Sequence, residues 1–201
     1  LNEVYAKVPS PMLQDAFFAS ATQRVFEQAM TGAGDPTKVI RALAQGVGER
    51  RVMFWSARKA EQAQLAGTAL ANELPSMSAN PQFGAYLTDT TLAKMQYYLD
   101  FKTVVRATDC SSEGVQTLVS TTTLSSRAPA DAANLPQYIT GDSGKVPSGD
   151  QVLIVRLYGS SGGGFTEVTL DGRDQQLYGL QHHGRPVTYV VVKLKPGQTA
   201  K

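Results

Sequence analysis

KMQYYLDFKTVV, residues 94–105, is where the periodicity of this chain changes. Upstream the apolar residues recur at helical spacing. Here they alternate: Met95, Tyr97, Leu99, Phe101, Thr103 and Val105 fall on one side, and Gln96, Tyr98, Asp100, Lys102 and Arg106 mostly on the other. A period of two is the mark of a strand with one buried face. On this pattern Tyr97 is buried, while Lys94 and Tyr98 look outward and are the residues best placed to meet a ligand or a partner chain. Five more segments continue the texture: GVQTLVSTTTL, DQVLIVRLY, FTEVTLD, QQLYGLQ and PVTYVVVKLK, separated by Gly, Pro, Asp and Ser. Short β-rich runs punctuated in this way predict an antiparallel, immunoglobulin-like β-sandwich over residues 83–201. The connection over residues 127–149 is long enough to cross between sheets or to carry a surface site.

Residues 1–82 read differently. Ser10 and Pro11 announce a helix whose stripe is Leu13, Phe17, Ala21 and Val25, and Gly32 and Gly34 follow its end. Asp35 and Pro36 open a second helix with Val39, Ile40, Leu43 and Val47 as its buried face. RRVMFWSA, residues 50–57, is expected as a short buried strand with Trp55 in the core, and an Ala-rich helix follows from Ser56. Helix, helix, strand and helix form an α/β texture that is incomplete on its own. The fold class expected for the whole chain is therefore α+β.

The 201 residues carry 42% hydrophobic and 18% charged side chains with a net charge of +2. This is the composition of a globular chain able to bury a core without metal or disulfide staples. The basic residues are scattered, apart from Arg50 and Arg51, with no interleaved aromatics, which speaks against a nucleic-acid partner. No apolar run approaches the ~20 residues of a membrane-spanning helix. Cys110 is the single cysteine, so neither an internal disulfide nor a zinc site of paired cysteines can form. The opening Leu1-Asn2-Glu3, without an initiator Met, is expected of a fragment.

Chemical vocabulary is sparse. His182 and His183 are the two histidines, adjacent and followed by Gly184. On a continuing strand their rings would point to opposite faces, so we read them as a hairpin turn rather than a metal or catalytic pair. Ser161, in GSSGG, matches the nucleophile-elbow pattern, but an elbow needs a helix after the serine and here FTEVTLDG follows. A β-hairpin loop fits better. GAGDPTK lacks the spacing of a phosphate-binding loop. No catalytic residue, metal ligand or cofactor is assigned; Lys94 and Tyr98 stand as the binding candidates, and Trp55 as core.

The order of several segments is similar to a known family. RRVMFWSARKAEQAQLAG, GAYLTDTTLAKMQYYLDF, SSRAPADAANLPQYITG, VLIVRLYG and VVVKLKPGQT resemble the C-terminal part of the bacterial envelope domain-of-unknown-function family numbered four thousand and twelve. The resemblance covers nearly the whole chain and is most specific at Lys-Met-x-Tyr-Tyr-Leu and Ala-Pro…Leu-Pro. It implies a parent with an N-terminal membrane anchor, an extracytoplasmic location in the cell envelope, and a larger α/β region before this chain, of which residues 1–82 would be the tail. That region is distantly similar to phosphotransferases that attach glycopolymers to cell walls, whose catalytic arginines and aspartates would lie upstream of Leu1. The function expected is a noncatalytic interaction or positioning module for cell-wall glycan or another envelope protein. The alternative is the C-terminal part of an enzyme acting on wall or lipid-linked glycopolymers.

Overall fold

The structure, a computed structural model, describes residues 2–31, 35–71, 73, 82–141 and 144–201. The chain is α+β, with helices beside antiparallel sheets. It forms two compact units: Leu1–Lys7 together with Asn80–Lys201, and Val8–Ala79. The first seven residues thus pack with the β-rich part of the chain, across the helical unit in sequence.

The β-rich unit holds a helix α1 (Asn2–Lys7), strands β1 (Gly84–Asp89), β2 (Leu99–Cys110), β3 (Gln116–Ser126) and β4 (Gln151–Tyr158), the short strands β5 (Thr169–Leu170), β6 (Arg173–Asp174) and β7 (Leu180–His182), and then β8 (Arg185–Leu194) and β9 (Thr199–Ala200). One sheet has the order β1-β4-β8-β7, a second β2-β3-β9, and β5 and β6 form a two-residue hairpin. β4 and β8 alternate as their sequences require. Leu153 and Val155 of β4 and Val190, Val192 and Leu194 of β8 point inward, where they meet Leu124 of β3, Ala200 of β9 and Val168. Apolar side chains from both sheets therefore share one core.

A second, smaller core lies beside it. Met95, Ala128, Ala132 and Ile139 are buried together, with Tyr5, Ala93, Tyr98 and Leu135 packed around them. The connection over residues 127–149 supplies most of it, through a 3-10 turn (Ala132–Asn134) and a short helix (Gln137–Thr140). Gln151 is fully buried and donates its side-chain amide to the Met95 carbonyl at 3.0 Å, joining the head of β4 to this cluster.

The strand expected over residues 94–105 begins only at Leu99. Met95–Tyr98 is a 3-10 turn, in which residues three apart share a side. Met95 and Tyr98 therefore turn inward together while Tyr97 is 59% exposed. This reverses the expected burial of the two tyrosines, and it takes Lys94 and Tyr98 off the outer sheet face. FTEVTLD and QQLYGLQ also form less strand than expected, pairing only over β5 and β7.

The helical unit consists of α2 (Pro11–Thr31), α3 (Pro36–Gly48) and α4 (Lys59–Leu65); we number the Gln137–Thr140 helix α5. Both Pro-led starts form where the sequence puts them, and Asp35 accepts from the Thr37 amide at 2.9 Å to cap α3. The apolar stripes behave otherwise. In α2 only Gln14 is buried, and Leu13, Phe17, Val25 and Phe26 are exposed, as are Ile40 and Leu43 of α3. RRVMFWSA forms no strand: Phe54 donates one backbone bond to Leu70, and Trp55, expected in the core, is 74% exposed. A strand needs a partner for its backbone, and here the neighbours of residues 51–56 are helices and turns. Among the described residues no helix is long and apolar enough to cross a membrane.

Two glutamates fasten this unit's surface. Hydrogen bonds from Ser56, then Arg58, hold the Glu61 carboxyl below its ordinary value of 4.5, and bonds from Gln45, then Arg51, do the same for Glu49. A lowered carboxylate contributes stability above its unfolded value and loses that contribution as the pH falls through its folded one. Glu61→Gln is therefore expected to lower the urea midpoint at pH 7, with the difference from the parent chain shrinking below pH 4.5. A difference that grows toward acid would contradict the assignment.

Candidate functional site

The outward face of the four-stranded sheet is built by the residues that alternate with the core set. Cross-strand register places Tyr86 of β1, Arg156 of β4 and Tyr189 of β8 in one row, and Gly84, Tyr158 and Val187 in the next. Because Gly84 lacks a side chain, the Tyr86 ring lies diagonally over that position: a Cβ built there would come within 2.7 Å of it. Tyr86 then meets Tyr158 edge to face, with ring centres 5.2 Å apart. Tyr158 in turn meets His182 edge to face at 5.7 Å, and its hydroxyl lies 3.2 Å from His182 Nδ1. Tyr178 stacks flat on Tyr189 at 4.4 Å and 9°. Partial burial, and then the Tyr178 phenol, hold the Tyr189 hydroxyl above the usual tyrosine range, while Arg156 pulls the other way. Arg156 donates to the Thr88 hydroxyl at 2.8 Å, which fixes its guanidinium within the face.

The result is a file of tyrosines with an arginine and two histidines at hand: Tyr86, Arg156, Tyr158, His182 and Tyr189 lie on strands, Tyr178 in the segment before β7 and His183 in the turn after it. Such a surface offers flat apolar rings for stacking and several hydrogen-bond donors around them. Among the described residues no group of three or more His, Cys, Asp or Glu side chains is placed to hold a metal ion.

No protein-family model, curated protein or solved structure matches the chain. Function has to be read from the surface itself.

One histidine ends a strand and the other opens a two-residue turn. His182 pairs with Arg185 at the end of the β7–β8 ladder, and His183 and Gly184 between them have φ of 49° and 70°. Two successive positive φ values give the mirror-image turn that matches strand twist. Ser161 donates its hydroxyl to the Gly184 carbonyl at 3.0 Å, bracing this turn. A serine committed to a backbone carbonyl, in a loop with no following helix, does not form a nucleophile elbow.

Lys94 and Tyr98 have other work. The Lys94 ammonium lies over the Tyr5 ring at 4.7 Å from its centre and over Tyr138 at 4.5 Å, with those rings 5.3 Å apart. Both distances are within cation–π range. Lys94 thereby ties α1 to α5, and Tyr98 is half-buried against the Met95 core. Cys110 is exposed at the end of β2.

The sequence contained a signal for the tyrosine face that single-strand reading passes over. VRLY sets Arg156 and Tyr158 two apart in an apolar strand, and TYVVVK sets Tyr189 and Lys193 four apart, each pair on one face of its strand. What it lacked was the register that sets Tyr86, Arg156 and Tyr189 side by side.

Proposed function

We propose that the β-rich unit is a noncatalytic recognition module whose binding surface is the outward face of the four-stranded sheet, with cell-wall glycan as its ligand. The observation that carries this is the continuous edge-to-face file Tyr86, Tyr158 and His182, with Arg156 and the Tyr178–Tyr189 stack beside it. Sugar rings present apolar faces and surrounding hydroxyls, which such a surface complements. The family resemblance supplies the setting: a membrane-anchored parent in the cell envelope, with this chain extracytoplasmic and positioning the parent on glycan or on another envelope protein. An immunoglobulin-like relationship of the two sheets belongs to the same proposal, supported by the core that Leu124 and Ala200 share with β4 and β8.

A specific observation also favours the second reading, that this is the C-terminal part of an enzyme acting on glycopolymers. Phe17, Val25, Phe26, Met30, Ile40, Leu43 and Trp55 are more than half exposed in the helical unit. Apolar exposure on this scale fits a surface that another part of an assembly covers.

Retention on immobilised cell-wall polysaccharide tests the first reading. Truncating an anchoring aromatic costs about 2 kcal/mol, or roughly thirtyfold in affinity. Tyr158→Ala and Tyr86→Ala are expected to weaken retention to that degree, whereas Lys94→Ala and Tyr98→Ala leave it unchanged in folded protein. Retention insensitive to Tyr86 and Tyr158, or none at all, would remove the proposal.

A further inference from the structure

A different part of the β-rich unit points to a second copy of this chain. β2 and β3 form a long antiparallel ribbon, paired from Leu99↔Ser126 to Cys110↔Gln116, while β9 covers β3 only at Leu124 and Ser125. Among the described residues β2 is the outer strand of its sheet, with no strand paired on its other side. Phe101, Val104, Val105 and Val119 on this ribbon are exposed. A two-stranded ribbon is marginal in water and gains most from further strands, and a free strand edge is a template for pairing.

The charges on β2 select what pairs with it. The strand is regular from Leu99 to Ala107, and the register shifts between Ala107 and Asp109. Thr103 is the centre of that regular stretch. In an antiparallel pair directly opposed residues share a face, so a two-fold axis relating two copies of β2 must pass through a residue. An axis at Thr103 uses the whole regular stretch, opposes Asp100, which also pairs with Arg127 of its own chain at 2.5 Å, to Arg106 twice, and opposes Phe101 to Val105 twice. Moving the axis to Lys102 sets that lysine against itself, and moving it to Val104 sets Lys102 against Arg106. Like charges directly opposed disfavour both alternatives. An axis at Phe101 also opposes opposite charges, Asp100 to Lys102, but pairs only Leu99–Thr103 of the regular stretch. From the outer edge, the exposed apolar side chains and this longest complementary register, we infer that the chain self-associates through β2 in antiparallel fashion about a two-fold axis at Thr103, joining two β2–β3 ribbons into a continuous sheet.

The inference is independent of ligand binding at the tyrosine face. Sedimentation of the 201-residue chain over a concentration series up to about 100 μM, a range that resolves micromolar self-affinity, reads the association. Arg106→Asp faces Asp100 of the other copy and is expected to weaken it at least tenfold or so. Adding Asp100→Arg to that variant restores it by reversing the pair, with Arg127→Ala made in every arm because Arg127 is the partner of Asp100 within the chain. Thr103→Cys, made in a Cys110→Ser background, tests position, because opposed Cα atoms about 4.5–5.5 Å apart lie within disulfide reach. It is expected to give a self-linked dimer under mild oxidation, whereas Val119→Cys is not. A chain that stays monomeric throughout the series, or a dimer that Thr103→Cys does not link and charge reversal does not affect, overturns it. Circular dichroism of each variant separates lost association from lost folding.

Discussion

Gly141→Ala is expected to lower the stability of the β-rich unit by about 3 kcal/mol or more, the largest effect of any single methyl addition. Gly141 ends α5 with φ 75° and ψ 166°, a region of backbone space that side-chain-bearing residues essentially do not enter and that costs about 1–3 kcal/mol when forced. Space is lacking as well: an added Cβ would lie 2.8 Å from the Thr91 carbonyl oxygen and 3.2 Å from that of Leu92. Both neighbours are backbone atoms, so relief requires the chain to move. Because α5 carries Tyr138 and Ile139, the displacement reaches the Met95 core and the rings around Lys94. Chemical denaturation followed by tyrosine fluorescence measures the loss. A midpoint within about 0.5 kcal/mol of the parent, the range of an ordinary surface change, would show that the loop yields without cost.

Leu153→Ala is expected to cost about 2–5 kcal/mol, the range for emptying a large side chain from a close-packed site. Leu153 is 1% exposed, lies at the centre of β4, and pairs in register with Val192, itself 2% exposed. Neighbours on strands bonded at both edges cannot collapse far into the space. The same experiment separates the two cores: Leu153→Ala lowers the whole β-rich unit, while Met95→Ala is expected to release α1 and α5 first, seen as earlier proteolysis near residues 2–7. Equal behaviour of the two variants would mean that the cores melt as one, through the Gln151 bond to the Met95 carbonyl.

How far the fold was legible depended on where each segment finds its partners. Helix starts at Pro11 and Pro36 need only local chemistry, and they form as written. β4 and β8 carry their alternation openly, because one face of each meets the core. VMFW failed as a strand because an apolar run says nothing about whether a neighbouring edge exists. Residues 94–98 failed for a subtler reason. Their alternation is genuine, but a 3-10 turn reads the same letters at spacing three, which sends Tyr98 inward and Tyr97 out. Lys94 was marked as a candidate because its surroundings were unknown: Tyr5 and Tyr138, which receive it, come from opposite sides of the helical unit in sequence. The tyrosine face was hidden likewise, since Tyr86 is brought beside Arg156 only by long-range pairing.

The packing of α1 with residues that follow the helical unit in sequence bears on how the protein is made. During synthesis residues 2–7 leave the ribosome ahead of the helical unit, yet Tyr5 has no place to dock until Lys94 and Tyr138 have followed. Loop closure over that much chain is costly before other contacts form. The order of assembly that results is vectorial for the helical unit and retrospective for α1: residues 2–7 are translated before the helical unit, yet they are fixed only after Lys94 and Tyr138 have followed it.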